Sequence, residues 1–399
     1  MHKSRIFLYF CLISIIILGI LTFFEQSQEE ASKENFIGLV VEEPDIRQAY
    51  TNLTVKPDDI NGLILLRVNL YPEYHYGDLL EISCELQKPK NSENFNYEKY
   101  LAVSDIYYIC YQPEINLIKN NQGNLFFAKL FQFKKYLYNI IEKIWAMPVS
   151  AFIAGLLLGL KKALPQEITD DFMRTGTIHI LVVSGSHLVI FSAFLKEILK
   201  NLYINRKKQF YIISLTLILY VIFTGMSAAA VRACLLAILV MLAERVGRPK
   251  AIFNILIFSA FLMILQNPRI LLHDTGFQLS FLATVGLVYL SKPMEKILFF
   301  VPKFFSIRIL LAQTLAAIIM TNPLICWQFQ RISLAAPLAN LLTVPLISLI
   351  MIASMGTIIL FIFFPIGGQL AGWSVGTLVQ FVLWINHYLA SLPWASIEL

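Results

Sequence analysis

The chain has 399 residues, of which 57% are hydrophobic and only 15% charged. Soluble domains hold about 45–50% apolar and about 25% charged residues, because part of any surface must face water. A soluble globular fold is therefore excluded, and the net charge of +6 reads first as topology signal, since cytoplasmic loops of membrane proteins carry excess Lys and Arg.

Taken in order, the first element is the apolar run Ile6–Phe24, behind Lys3 and Arg5. It is long for a signal-peptide core, and Glu-Gln-Ser-Gln-Glu-Glu follows with no Ala-x-Ala-like site, so a retained anchor over residues 1–25 is expected. Residues 26–120 differ in kind. Short apolar runs at Phe36–Val41, Leu63–Leu70, Leu79–Leu86 and Ile106–Tyr111 are separated by turn signals such as Asn61-Gly62, His75-Tyr76-Gly77-Asp78 and Lys88-Pro89. That pattern predicts a small antiparallel β-domain, compact enough for an OB-like barrel, although periodicity does not separate OB from other small barrels. Cys84 and Cys110 fall on two predicted strands. Outside the membrane they would be free to form a disulfide; otherwise they are two buried thiols. Residues 121–150 contain an amphipathic helix, Leu125–Met147, with Lys129, Lys134, Lys135 and Lys143 on its polar face. Such a helix lies in the membrane interface or packs on the β-domain.

Residues 151–399 read as a polytopic helical domain. Its apolar runs are Ile178–Leu195, Phe210–Phe223, Ala228–Ala243, Ile252–Leu265, Phe281–Leu290, Ile309–Trp327, Leu334–Phe364 and Gln369–Leu389. A span needs about 20 apolar residues, so the short runs suggest broken or re-entrant helices. The basic stretches Lys200–Lys208, Arg245–Lys250 and Lys292–Arg308 fall on one side if Phe210–Ala243 and Ile252–Leu290 each go out and return. That side is then cytoplasmic, as is the N-terminus. Leu334–Phe364 holds Asn340 and Pro345 and is one helix or two.

Polar groups inside these runs are costly and face an interior or a wet cavity. The candidates are His179, Ser184, Gly185 and His187, then Arg232, then Asp274 and Gln278, then Asn340. Each has a structural alternative: interhelical hydrogen bonds for the first group, a buried partner for Arg232, and N-capping for Asp274. Gly368, Gly372 and Gly376 repeat at four-residue spacing, a small-residue packing face or a self-association seam. The sequence has no Gly-x-x-x-x-Gly-Lys-Ser/Thr, no His-Glu-x-x-His, no Cys-x-x-Cys and no Gly-x-Ser-x-Gly. No cofactor and no enzymatic activity are expected.

Thr175-Gly-Thr-Ile-His179-Ile-Leu-Val-Val-Ser184-Gly185-Ser186-His187 resembles a stretch of the ComEC family of competence proteins, although that stretch typically ends Ser-Gly-Leu-His, so Ser186 departs from it. Further matches are Gly225-Met-Ser-x-x-x-x-Arg232-Ala, Gly247-Arg248-Pro249, Asp274-x-Gly276-Phe277-Gln278-Leu-Ser280-Phe, Pro337-Leu-x-Asn340-Leu-Leu-x-x-Pro345 and, in the polar domain, Asn94-Phe-Asn-Tyr97-Glu-x-Tyr100-Leu. The resemblance implies an inner-membrane channel importing single-stranded transforming DNA, with the OB-like domain outside touching the strand. It implies a DNA receptor and a cytoplasmic translocation ATPase as partners. The chain has no His-x-His-x-Asp-His, so a separate nuclease is expected. Arg47, Lys56, Arg67, Lys88 and Lys90 with Tyr74 and Tyr76 are the candidate DNA contacts, since OB-folds bind single strands through positive charge and aromatic platforms. A transporter of another solute and a membrane scaffold are the alternative readings.

Overall fold

The computed structural model describes residues 11–19, 33–47, 49–91, 96–160, 164–181, 185–246, 252–302 and 307–398. Ser184, residues 6–10 and 20–24 of the Ile6–Phe24 run, Asn94 and Phe95, and the Gly247-Arg248-Pro249 turn lie outside them. Residues 11–19 are helical and form α1. The polar region is a sheet of β1 (Lys33–Val40), β2 (Asp45–Ile46), β3 (Thr51–Pro57), β4 (Leu63–Val68), β5 (Leu79–Glu85), β6 (Ile106–Tyr111) and β7 (Glu114–Lys119), with helix α2 (Tyr97–Ala102) between β5 and β6. Strand order is β6-β4-β3-β1-β5-β7, with β2 on β3. All pairs are antiparallel except β4 with β6.

Alternation predicts four strands and misses β3 and β7, each for a physical reason. β3 does alternate, with Leu53 and Val55 in the core and Asn52 and Lys56 on the other face, but two apolar residues among polar ones make no apolar run. β7 is an edge strand, mostly exposed. The sheet does not close into the expected barrel. Its path ends at β6 and β7, and an isolated bridge from Gln87 to Ile109 joins the end of β5 to β6. The inward residues Phe36, Leu53, Val55, Ile64, Leu66 and Ile82 form its core.

The helical region comprises α3 (Leu125–Ile144), α4 (Val149–Leu158), α5 (Gln166–Arg174), a 3-10 turn at Ile178–Ile180, α6 (Gly185–Asn201), α7 (Arg206–Phe223), α8 (Ala228–Arg245), α9 (Ile252–Gln266), α10 (Ile270–His273), α11 (Thr275–Tyr289), α12 (Ser291–Ile297), α13 (Ile307–Phe329), α14 (Ala336–Phe363) and α15 (Pro365–Ala390). The short strands Arg331–Ser333 (β8) and Ser396–Glu398 (β9) pair with each other. Helices α13, α14 and α15 are long and apolar enough to cross a membrane. Leu334–Phe364 resolves as one helix, α14, with Pro345 inside it; at 28 residues it is about 42 Å long. Thr224-Gly225-Met226 turns between α7 and α8, with Gly225 at φ +87°, and Ser227 caps α8 through Ala230 N.

Helix α4 is absent from the predicted runs, because ten residues are too few for a span. All ten are buried, which an all-round apolar helix requires. It sits between α3, α14 and α15 in the main helical core. The glycine face of α15 is covered within the chain. A Cβ at Gly368 would stand 2.4 Å from Phe361 Cα, and one at Gly372 would stand 2.5 Å from Ile144 Cγ2. Trp145 Nε1 donates to Gly372 O at 2.7 Å.

Two polar pins join sheet and helices. On α3, which packs on both, Lys134 is 2% exposed and pairs with Glu43 at 2.7 Å. Its ammonium lies 5.9 Å from the Phe223 ring. Of the two readings for the amphipathic helix, this contact agrees with packing on the β-domain. Breaking such a buried pair from one side costs about 3–5 kcal/mol. The second pin is at the α9–α10 turn. Arg269 Nη1 donates to Ala102 O (3.1 Å), to Asp105 Oδ1 (3.1 Å) and to Tyr107 Oη (2.6 Å). Asn267 Nδ2 donates to Val103 O at 2.7 Å. Asp105 holds φ +56°, so the turn is one that few residues adopt unaided. Replacing Arg269 by Ala is expected to raise amide deuterium exchange over residues 101–107 about tenfold or more, the scale of a lost charged hydrogen bond. Exchange around Leu53 and Ile82 should stay as in wild type; an unchanged 101–107 segment would show that Arg269 does not hold the turn.

Candidate polar membrane path and nucleic-acid face

Three of the four polar motifs in the helical domain have mapped neighbours. Asp274 caps α11, its Oδ1 accepting from Phe277 N at 3.1 Å. Gln278 donates to Leu271 O (2.9 Å) and Leu272 O (3.1 Å), closing the carbonyl end of the one-turn helix α10. Arg232, 3% exposed on α8, reaches the same place. Its Nη1 donates to Gly276 O at 3.4 Å, its Cζ stands 5.4 Å from the Phe281 ring, and the Asp274 carboxylate is within electrostatic range. A guanidinium keeps its charge in such a site, so these groups form a fixed positive point with one balancing carboxylate.

The start of α6 lies alongside. A Cβ at Gly185 would stand 3.3 Å from Ala233 Cβ, so α6 passes α8 one residue from Arg232. His187 follows on α6, 1% exposed, and His179 on the 3-10 turn is within electrostatic range of it. Within the predicted run Ile178–Leu195 the described residues form a 3-10 turn at Ile178–Ile180 and, from Gly185 on, α6. Asn340 is buried on α14, and its Oδ1 has no hydrogen-bond partner among the described residues; it takes no part in the Arg232 contacts with Gly276 and Phe281.

A second polar knot escapes the sequence motifs. Asn386 Oδ1 sits 2.9 Å from Thr175 Oγ1 and 2.7 Å from Thr177 Oγ1, and all three residues are fully buried. One residue on, His387 Nδ1 meets Asp171 Oδ2 at 2.9 Å. The knot fixes the C-terminal turn of α15 against α5, while Trp145 and Gln369 (Nε2 to Ile144 O, 3.0 Å) fix its N-terminal turn against α3. Asn386 and His387 sit in an ordinary apolar run, and only the fold pairs them with Thr175, Thr177 and Asp171. Among the described residues no group of three or more His, Cys, Asp or Glu is placed to hold a metal ion.

On the sheet, the candidate contacts divide. Tyr76 turns to α3: its ring is 5.2 Å from Phe131, and its hydroxyl accepts from Asn124 N. Tyr74 lines an open cleft of about 240 Å³ with Asn69, Tyr71, Pro72, Gln112 and Pro113; burial pushes its hydroxyl above the ordinary tyrosine pKa. Lys56 and Lys90 are exposed and Lys88 half-buried. Arg67 lies between two tyrosines, its Cζ 4.3 Å from the Tyr50 ring and 5.2 Å from the Tyr111 ring. Arg47 pairs with Asp45 at 2.7 Å. Cys84 and Cys110 face each other across the β5–β6 seam with Cα atoms 6.3 Å apart, a spacing at which a disulfide forms without backbone movement.

Residues 156–399 match the family model described as Competence protein. The chain is also 23% identical over 321 residues to "ComE operon protein 3" of Bacillus subtilis (strain 168), an alignment covering 78% of this chain and 40% of that relative. The chain therefore spans well under half of that relative's length. No solved structure matches it.

Proposed function

We propose that the chain, which belongs to the Competence protein family, takes part in DNA uptake and forms the inner-membrane conduit for one strand of transforming DNA. The observation that carries this reading is the Arg232 cluster at the head of α11. It is a buried guanidinium with one carboxylate in range, inside an apolar domain and joined through α10 to the turn that holds the sheet. Desolvating an arginine is expensive, and an arginine fork suits phosphate better than a point charge does. Gly185 borders the same place from α6, and Ser184, His187 and Asn340 are assigned to the same path in this reading.

In this proposal the β1–β7 domain stands on the extracytoplasmic side as an OB-like, partly open barrel. The parallel β4–β6 pair and the Gln87–Ile109 approach support that reading, since OB-folds are five-stranded and partly open. Cys84 and Cys110 then form a disulfide that staples the β5–β6 seam in an oxidising compartment. Labelling intact cells with a thiol reagent should leave both sulfurs unmodified until reductant is added; labelling without reductant would remove the bridge.

Strand movement needs a motor and a duplex receptor, which separate proteins supply, and a nuclease acts on the other strand. The test follows labelled DNA into a nuclease-protected compartment of the source cell. Deleting the gene should abolish protected uptake, and wild type should restore it. Arg232→Ala at equal protein level should restore less than about a tenth, the loss expected for a removed charge-assisted contact. Normal uptake in the deletion strain would refute the conduit.

A further inference from the structure

We infer that the sheet face built from Tyr111, Arg67, Asn52 and Tyr50, together with Tyr97 and Tyr100 of α2, is the platform on which single-stranded DNA stacks before it enters the helical domain. The inference rests on the conduit reading and names where that conduit receives its strand.

The register places the row. Tyr111 pairs with Arg67 across β6–β4, Arg67 with Asn52 across β4–β3, and Asn52 with Asp45 across β3–β2. Directly paired residues share a face, so the four stand side by side across four strands. This face is opposite the core, into which Ile64, Leu66 and Val68 point. Helix α2 covers its other part, where Leu65, Ile106 and Ile109 pack with Leu101 and Tyr97. Beside α2 the end of the row is open: Tyr111 is 45% exposed, Arg67 and Asn52 are half-buried, and Tyr100 on α2 is 42% exposed. Tyr97 and Tyr100 lie nearly parallel, centroids 6.3 Å apart at 16°.

The chemistry selects the occupant. Arg47 is paired with Asp45, whereas Arg67 has no carboxylate partner among the described residues and is held only by the two tyrosine faces. Arg67 Nε and Asn52 Oδ1 are buried without a hydrogen-bond partner among the described residues, so the outer guanidinium nitrogens of Arg67, not these atoms, would meet a phosphate. A cation flanked by flat aromatic faces suits a chain of alternating phosphates and stackable bases, and a duplex hides its bases. Location supports the same reading. Tyr100 is within electrostatic range of Asp274, and Arg269 ties the turn immediately after α2 to the helix leading to Asp274. A strand leaving the platform past Tyr100 therefore arrives at the Arg232 cluster.

The test measures binding of a labelled oligothymidylate to the full chain in lipid nanodiscs, by anisotropy at several salt concentrations. Tyr111→Ala should weaken binding about five- to a hundred-fold, the range for one lost base stack, while Tyr111→Phe stays within about twofold of wild type. Arg67→Ala should lower the slope of log affinity against log salt by about one. A duplex of equal length should bind more weakly and be insensitive to Tyr111→Ala. Wild-type affinity in both alanine variants, or no binding by wild type, overturns the platform even where gene deletion abolishes uptake. Loss of binding in the variants with normal uptake after deletion would leave the platform standing and remove the conduit.

Discussion

The fork of Arg269 is the contact on which the arrangement of the molecule depends. Three of its partners lie on one turn of the sheet domain, and a fourth bond comes from Asn267 two residues earlier. A short polar turn with Asp105 at positive φ would otherwise fray. Held in this way, it orients α2, and α2 orients Tyr97 and Tyr100. On the other side of Arg269, the single turn of α10 ends at Asp274, the cap of α11 and the carboxylate nearest Arg232. One side chain thus joins the part of the protein that suits water to the charged point within the part that suits lipid. Lys134 with Glu43 does the same from α3, and two pins fix an orientation that one would leave free to swing.

The helical domain follows from the bilayer as solvent. Backbone groups in hydrocarbon must be satisfied internally, so short or broken elements occur where protein surrounds them. Helix α4 is wholly buried, and the 3-10 turn before α6 lies against it, with Leu181 O 3.2 Å from the Cβ position of Gly155. Long α14 and α15 frame these pieces. The tryptophan bond at one end of α15 and the threonine–asparagine knot at the other lock its rotation. A rigid frame around an irregular interior is what a site for a charged chain requires, because a charge inside an apolar domain is tolerable only where its partners are fixed in advance.

Much of this was legible in the residues. Composition set the membrane class, the turns at Gly225 and Ser227 set a helix boundary, and Asp274 announced its own cap. Arg232, Asp274 and Gln278 each stood out as polar within apolar runs, and the fold brings them to one place. What was not legible depended on long-range contact. Strand β3 offers only Leu53 and Val55 to the core and β7 lies exposed at an edge, so neither stands out as an apolar run. The pairing of Lys134 was not legible because Glu43 is 91 residues away. Tyr76 looked like a DNA contact because its aromatic partners lie on α3. Tyr111 and Tyr50 carried no signal, since only the parallel β4–β6 register sets them on either side of Arg67.

The most direct measurement is photocrosslinking of an incoming strand carrying 5-iododeoxyuridine, taken up by competent cells and stopped at short intervals. Adducts are predicted first on the peptide holding Tyr97–Tyr111 and later on those holding Arg232 and Asp274. Adducts that avoid both regions, or that reach the helices without ever marking the sheet face, would contradict the account.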